Sequence, residues 1–165
     1  MTKAEIEKRM NEIQQELDSL KAQLNEPEKK TGWEQPVCPE KYYFVTDCCE
    51  TGWDLWGGCN YEETHYKHAN CFTSQELAEN IARYQSLDLR IRRRIAEICK
   101  PINHKSLWWS IEYNITKKYV FPACHDNHVS AGWECDTSVH ADQIIEEFKD
   151  DLLWYFTEFK GRMDG

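Results

Sequence analysis

The sequence predicts an α+β fold: two strand-strand-(strand)-helix units, at about 40–100 and 105–159, forming an antiparallel sheet covered by two helices, with an N-terminal coiled-coil helix ahead of them. Three observations predict it. Asn70-Cys71-Phe72-Thr73-Ser74-Gln75-Glu76-Leu77 opens a helix that runs to about Cys99, with apolar residues at Leu77, Ala78, Ile81, Tyr84, Leu87, Ile91, Ile95 and Ile98, mostly three or four apart. A shorter echo, Cys135-Asp136-Thr137-Ser138, opens a second helix carrying Ala141, Ile144, Ile145, Phe148, Leu152 and Phe156. Each helix follows aromatic and β-branched runs of strand character.

The chain reads as two domains, a helical arm and linker over 1–31 and the α+β domain over 32–165. In the arm, Ile6, Met10, Ile13, Leu17, Leu20 and Leu24 are spaced 4, 3, 4, 3 and 4. That is a heptad seam with Met10, Leu17 and Leu24 at a and Ile6, Ile13 and Leu20 at d. In a parallel pair, Glu16 at g would face Lys21 of the second copy at e. A helix this short is marginal alone in water, so the seam predicts a homodimer, the alternative being a single helix folded back on its own domain. Pro27 and its charged neighbours end it.

Lys41-Tyr42-Tyr43-Phe44-Val45-Thr46 predicts a strand, Asp47 to Gly52 a turn, and Trp53-Asp54-Leu55-Trp56 a half-buried strand by its alternation. A third strand is expected between Tyr61 and Phe72. Thr73, with Glu76 three residues on, predicts a capping box at the long helix, and Pro101 stops that helix. In the second unit Leu107 to Tyr113 and Lys118 to Phe121 predict strands, with Pro122 near a sheet edge, and Val129 to Cys135 a third. One helix is then expected from Ser138 to Phe159.

Charge bounds the function. The formal net charge is −9 and the pI about 5.2, which disfavours direct nucleic-acid binding. Residues 83–105 hold seven basic and two acidic side chains, and 136–165 hold eight acidic and three basic ones. The Arg90, Arg92, Arg93 and Arg94 run reads as the outer face of the long helix. Asp142, Glu146, Glu147, Asp150 and Asp151 form an acidic face on the second helix, a candidate surface for a basic partner. The charged N-terminus carries no secretory signal, and no window is apolar enough to span a bilayer. A cytoplasmic protein with no membrane partner is expected, its eight cysteines thiols or metal ligands.

Two Cys/His sets invite a zinc hypothesis: Cys59, His65, His68 and Cys71, and Cys124, His125, His128 and Cys135. The residue types suit tetrahedral zinc, but neither spacing begins with the tight Cys pair of a finger or ribbon. Cys71 and Cys135 each stand two residues before a threonine, Thr73 and Thr137, which also suits a shared buried strand position. No nucleophile elbow, phosphate loop or dinucleotide fingerprint occurs, so no enzyme is expected and no cofactor beyond possible zinc.

The aromatic strand Tyr42-Tyr43-Phe44-Val45, the Trp-bearing hairpin, the Asn70-Cys71-Phe72-Thr73-Ser74-x-x-Leu77-Ala78 segment and the ending from Thr137-Ser138 to Tyr155-Phe156 resemble a loose group of small accessory proteins of phages, prophages and mobile elements of Firmicutes. The resemblance covers roughly 40–159 and carries no catalytic residue. Cys71 and Cys135 stand where the group usually has aliphatic residues. Such proteins include inhibitors of host defence, anti-CRISPR proteins among them. The resemblance therefore implies a non-enzymatic protein that acts in the bacterial host cell on a host protein, plausibly a Cas effector nuclease. The alternative is a zinc-stabilised structural or assembly accessory protein of a phage.

Overall fold

The heptad run folds as α1 (Lys3–Leu24). The computed structural model describes residues 3–24, 31–102, 107–126 and 132–159, with the side chains of α1 described over 9–21. The chain divides into two units, Met1–Thr31 and Gly32–Gly165. In the first, Met10, Ile13, Leu17 and Leu20 are all exposed, while Ile6 and Leu24 have side chains outside the described residues. Local pairs, Arg9 with Glu12 and Gln14 with Asp18, line the polar flanks.

The second unit is α+β, with strands in two antiparallel sheets where the sequence predicts one. β1 (Lys41–Val45) pairs with β2 (Thr51–Leu55) so that Tyr43 faces Trp53 and Phe44 faces Gly52. The Phe44 ring lies across Gly52, where an added Cβ would sit 2.6 Å from it. β3 (Trp108–Asn114) pairs with β4 (Tyr119–His125) on one side and β5 (Glu134–Cys135) on the other. Both sides of β1 and β3 are occupied from within their own half, so neither central strand has an edge left to join the other.

Between the hairpin and the long helix the chain forms α2 (Asn60–Lys67), not the strand expected between Tyr61 and Phe72. The reason is the cap. The Glu62 carboxylate accepts from the Cys59 and Gly57 amides, both at 2.9 Å, and so satisfies donors at the helix start. Glu62 and Glu63 in the first turn, with His65 and Lys67 in the last, also match the helix dipole. The place of a third strand is taken by a single bridge, Phe72 against Tyr43.

α3 (Gln75–Ile98) follows, capped by Ser74, whose hydroxyl accepts from the Leu77 amide. Thr73 does not cap it: its hydroxyl donates to Glu34 at 2.9 Å. The first turns of α3 bury Leu77, Ala78 and Ala82 with Val45 and Phe72. Its later turns bury Leu87 and Ile91 with Ile111, Trp133, Cys135, Ala141, Ile144, Phe148 and Leu152. One helix thus closes two cores. A third cluster, Tyr42, Trp56 and Cys71, forms on the other face of β1 from Val45.

The last helix is two. α4 (Ser138–Glu147), capped by the Thr137 hydroxyl on the His140 amide, ends at Phe148, where φ −111° and ψ 21° leave helical geometry. α5 (Lys149–Thr157) then begins. Its Leu152 packs in the core, while Trp154, on the far side of α5, is buried with the Arg83 guanidinium 3.9 Å from its ring centroid. No described helix is long and apolar enough to cross a membrane.

Candidate functional site

The basic and acidic segments of the sequence meet. Arg83 and Arg90 of α3 both bind the Asp151 carboxylate, at 3.1 and 2.6 Å, and Arg94 binds Glu147 at 2.8 Å. Arg92 turns back to Asp88 at 2.8 Å, and Arg93 reaches Glu97 at 3.4 Å. Burial would raise the Asp151 pKa, but hydrogen bonds from Arg90 and then Arg83 outweigh it and hold the carboxyl below its usual range. Of the five acidic residues expected to face a partner, Glu147 and Asp151 are therefore committed to α3. Asp142, Glu146 and Asp150 are exposed and have no cationic partner among the described residues.

Among the described residues, neither Cys/His set converges. Cys59 precedes α2 with its thiol on the Glu62 carboxylate. His65 packs its ring on Tyr61 at 4.3 Å and Phe44 at 5.4 Å, and its buried Nδ1 has no hydrogen-bond partner. His68 is an exposed C-cap, whereas Cys71 is buried beside Tyr42 and Trp56. Burial and then the Glu62 charge push the Cys71 thiol up to about 11, the behaviour of a small core hydrophobe. In the second set, Cys124 and His125 are neighbours on β4 and so point to opposite faces. Cys124 and Cys135 flank Trp109 on either side, and His125 stacks on Trp108 at 4.6 Å. His128 lies outside the described residues.

His125 belongs to a different polar group. Its Nε2 lies 2.7 Å from the Ser110 hydroxyl and 2.8 Å from Glu112 Oε1, to which Ser110 also donates at 2.8 Å. A serine triad needs the hydroxyl and the acid on different imidazole nitrogens. Here both converge on one, which orders the ring without activating a nucleophile. Close by, a cavity of about 250 Å³ is lined by Tyr84, Asp88, Arg92, Glu112, Trp133 and Tyr155. Its carboxylate at Asp88 is already used by Trp133 Nε1 and Arg92, each at 2.8 Å.

One set of metal-ligating atoms does come together, and sequence reasoning named none of its three members as a ligand. Cys99, Asp136 and His140 place Sγ, a carboxylate oxygen and an imidazole nitrogen within 4.8 Å of one another. Three element ends supply them. Cys99 is the C-cap of α3, Asp136 follows β5, and His140 stands in the first turn of α4. His140 Nδ1 is 2.5 Å from Asp136 Oδ1, and the Lys100 amide donates to Asp136 Oδ2 at 3.2 Å. The neighbouring Cys135 thiol, which burial pushes up to about 12, interacts with that of Cys99 but does not lie within 4.8 Å of all three ligating atoms. Burial raises the Cys99 thiol too, so at neutral pH this is no activated thiolate. Asp136-x-x-x-His140 was the one local signal in the sequence, two ligating types one helical turn apart. The chain matches no protein-family model, no curated protein and no solved structure.

Proposed function

We propose that the chain is a non-enzymatic binding protein of a phage or mobile element, pairing through α1 and covering a functional surface of a host defence protein, a CRISPR effector nuclease first among them. The observation that carries the reading is the seam of α1. Met10, Ile13, Leu17 and Leu20 are 65%, 54%, 44% and 54% exposed on one heptad stripe. Burying such a stripe yields about 25 cal/mol per Å², and only a facing helix in the same repeat buries it without a break. The occupant is a second copy of this chain, with Glu16 and Lys21 across the seam. Two linked copies engage a paired target more tightly than one, by effective concentration alone.

On each copy the contact surface is built on the exposed Asp142 and Glu146 of α4 and Asp150 of α5, with Trp53 and Tyr61 as exposed aromatic anchors. Asp151 is left out, because Arg83 and Arg90 hold it. Light scattering on the full chain tests the pairing. The expected mass is that of a dimer, falling to a monomer in the Ile13→Asp, Leu20→Asp double variant. Leu17 and Leu24 at a with Ile6 and Ile13 at d also suit larger bundles, so the mass itself is the readout. A monomeric wild type, or a trimer or tetramer, overturns the dimer. Nuclease inhibition assays then compare the wild type with Asp142→Lys, Glu146→Lys, Asp150→Lys. Inhibition by the wild type, lost in the variant, supports the surface; inhibition unchanged by the reversal refutes it.

A further inference from the structure

We propose that Cys99, Asp136 and His140, with the Cys135 thiol as fourth donor, form a closed structural site for one zinc ion. The proposal stands on geometry and does not depend on the binding function above. Zinc bonds of 2.0–2.3 Å in a tetrahedron put ligand atoms roughly 3.3–3.8 Å apart. Three donors already lie within 4.8 Å of one another, so side-chain shifts of about 1 Å, which open the 2.5 Å His140–Asp136 pair and draw in the longer separations, seat an ion. The fourth, the Cys135 thiol, neighbours Cys99 but does not lie within 4.8 Å of all three, so it must be drawn in to complete the set.

An ordinary Asp-His pair at a helix start would account for Asp136 and His140 alone. It does not account for a thiol meeting them from the end of a helix 37 positions before Asp136, with a second thiol beside it on β5. The surroundings suit a cation as well. Cys99 lies at the carbonyl end of α3, where the helix dipole favours positive charge. The Lys100 amide on Asp136 Oδ2 fixes the carboxylate, as outer-sphere bonds do in metal sites, while Oδ1, which here bonds His140 Nδ1, gives up that partner for the ion. Two thiols, an imidazole and a carboxylate select zinc over magnesium, calcium or manganese, which prefer all-oxygen sets. Such a site ties the last turn of α3 to the first turn of α4, the junction between the two halves of the domain.

The test uses the full chain, reduced and purified without chelator. Elemental analysis is expected to find one zinc per chain. Cobalt(II) added to the metal-free protein is expected to give the intense visible bands of a tetrahedral complex and a thiolate-to-cobalt charge-transfer band, both erased by zinc. Cys99→Ser and His140→Asn each remove the tetrahedral spectrum and the rise in melting temperature on adding zinc. Asp136→Asn serves as a further variant should either fail to fold. Cys135→Ala weakens the charge-transfer band by about half, the share of one thiolate in two. The proposal is overturned by an octahedral cobalt spectrum with no thiolate band. It is equally overturned by metal content unchanged in the Cys99→Ser, His140→Asn double variant, or by a charge-transfer band that Cys135→Ala leaves intact.

Discussion

The two halves of the α+β domain share one plan and carry it out with different chemistry. In each, a hairpin's first strand is flanked on its other side by a short returning segment, and a capped helix follows two residues later. In the second half the returning segment is a real strand, with Trp109 opposite Cys135 and Ser110 opposite Glu134. In the first half it shrinks to one bridge, Tyr43 with Phe72. The next rung is made by a side chain. Asn70 Oδ1 accepts from the Val45 amide at 2.8 Å, and its Nδ2 donates to the Val45 carbonyl at 2.9 Å. At the matching place in the second half the Ile111 amide bonds the Trp133 carbonyl, backbone to backbone. Register, more than residue type, is what the halves share, and a primary amide reproduces a peptide group when the chain cannot run straight because α2 intervenes.

The same comparison corrects the repeat alignment. Phe72, Ser74 and Ala78 correspond to Cys135, Thr137 and Ala141, an offset one residue away from that suggested by Cys71 and Thr73. Both helix starts offer two adjacent hydroxyls, Thr73-Ser74 and Thr137-Ser138, and sequence alone does not say which caps. The strand ladder decides it.

Substitutions at matched positions sharpen this picture. The largest difference is expected at Ile144 and its counterpart Ile81. Ile144 is fully buried, and Ile144→Ala should cost about 3–5 kcal/mol in urea unfolding. Ile81 is only half-buried, and Ile81→Ala should cost about 1–2 kcal/mol. Equal losses would mean that the two cores are alike in packing after all. Asn70→Ala comes next, at about 1–3 kcal/mol, because it leaves both Val45 backbone groups without a partner. Amide exchange should accelerate at Val45 and stay slow at Ile111; protection persisting at Val45 would show that water or another group takes over the rung.

Smaller effects follow at the caps. Ser74→Ala and Thr137→Ala should each cost about 1 kcal/mol, measured by thermal unfolding, if their places are equivalent. A larger loss at Thr73→Ala with none at Ser74→Ala would restore the other alignment. The smallest change is expected between the halves, at the Arg83–Asp151–Arg90 clamp, where Asp151→Asn should cost about 1 kcal/mol or less at neutral pH. The folded pKa of Asp151 lies below its unfolded value, so the clamp's contribution is complete above the ordinary carboxylate range. It is lost as pH falls through the depressed folded pKa. The deficit of Asp151→Asn against wild type should therefore shrink on acidification. A deficit that grows instead would mean that repulsion, not attraction, is being removed.

The sequence carried α3, α4, both hairpins and the Pro101 stop openly, because apolar period and turn chemistry are local signals. It hid α2, whose face is nearly all polar and whose cap is a glutamate reaching back to the Cys59 and Gly57 amides. The fate of the charged runs was half legible. The arginines do line the outside of α3, but two of the five acids expected to meet a partner meet those arginines instead. Cys99, Asp136 and His140 were hidden for a plainer reason: nothing in linear spacing announces that the end of one helix lies against the start of another.

Because α3 spans both cores lengthwise, neither half has a complete set of apolar neighbours without the other. Cutting the chain within α3 would strand part of that helix on each fragment. The domain should melt in a single calorimetric transition whose van't Hoff and calorimetric enthalpies coincide, its duplicated plan notwithstanding.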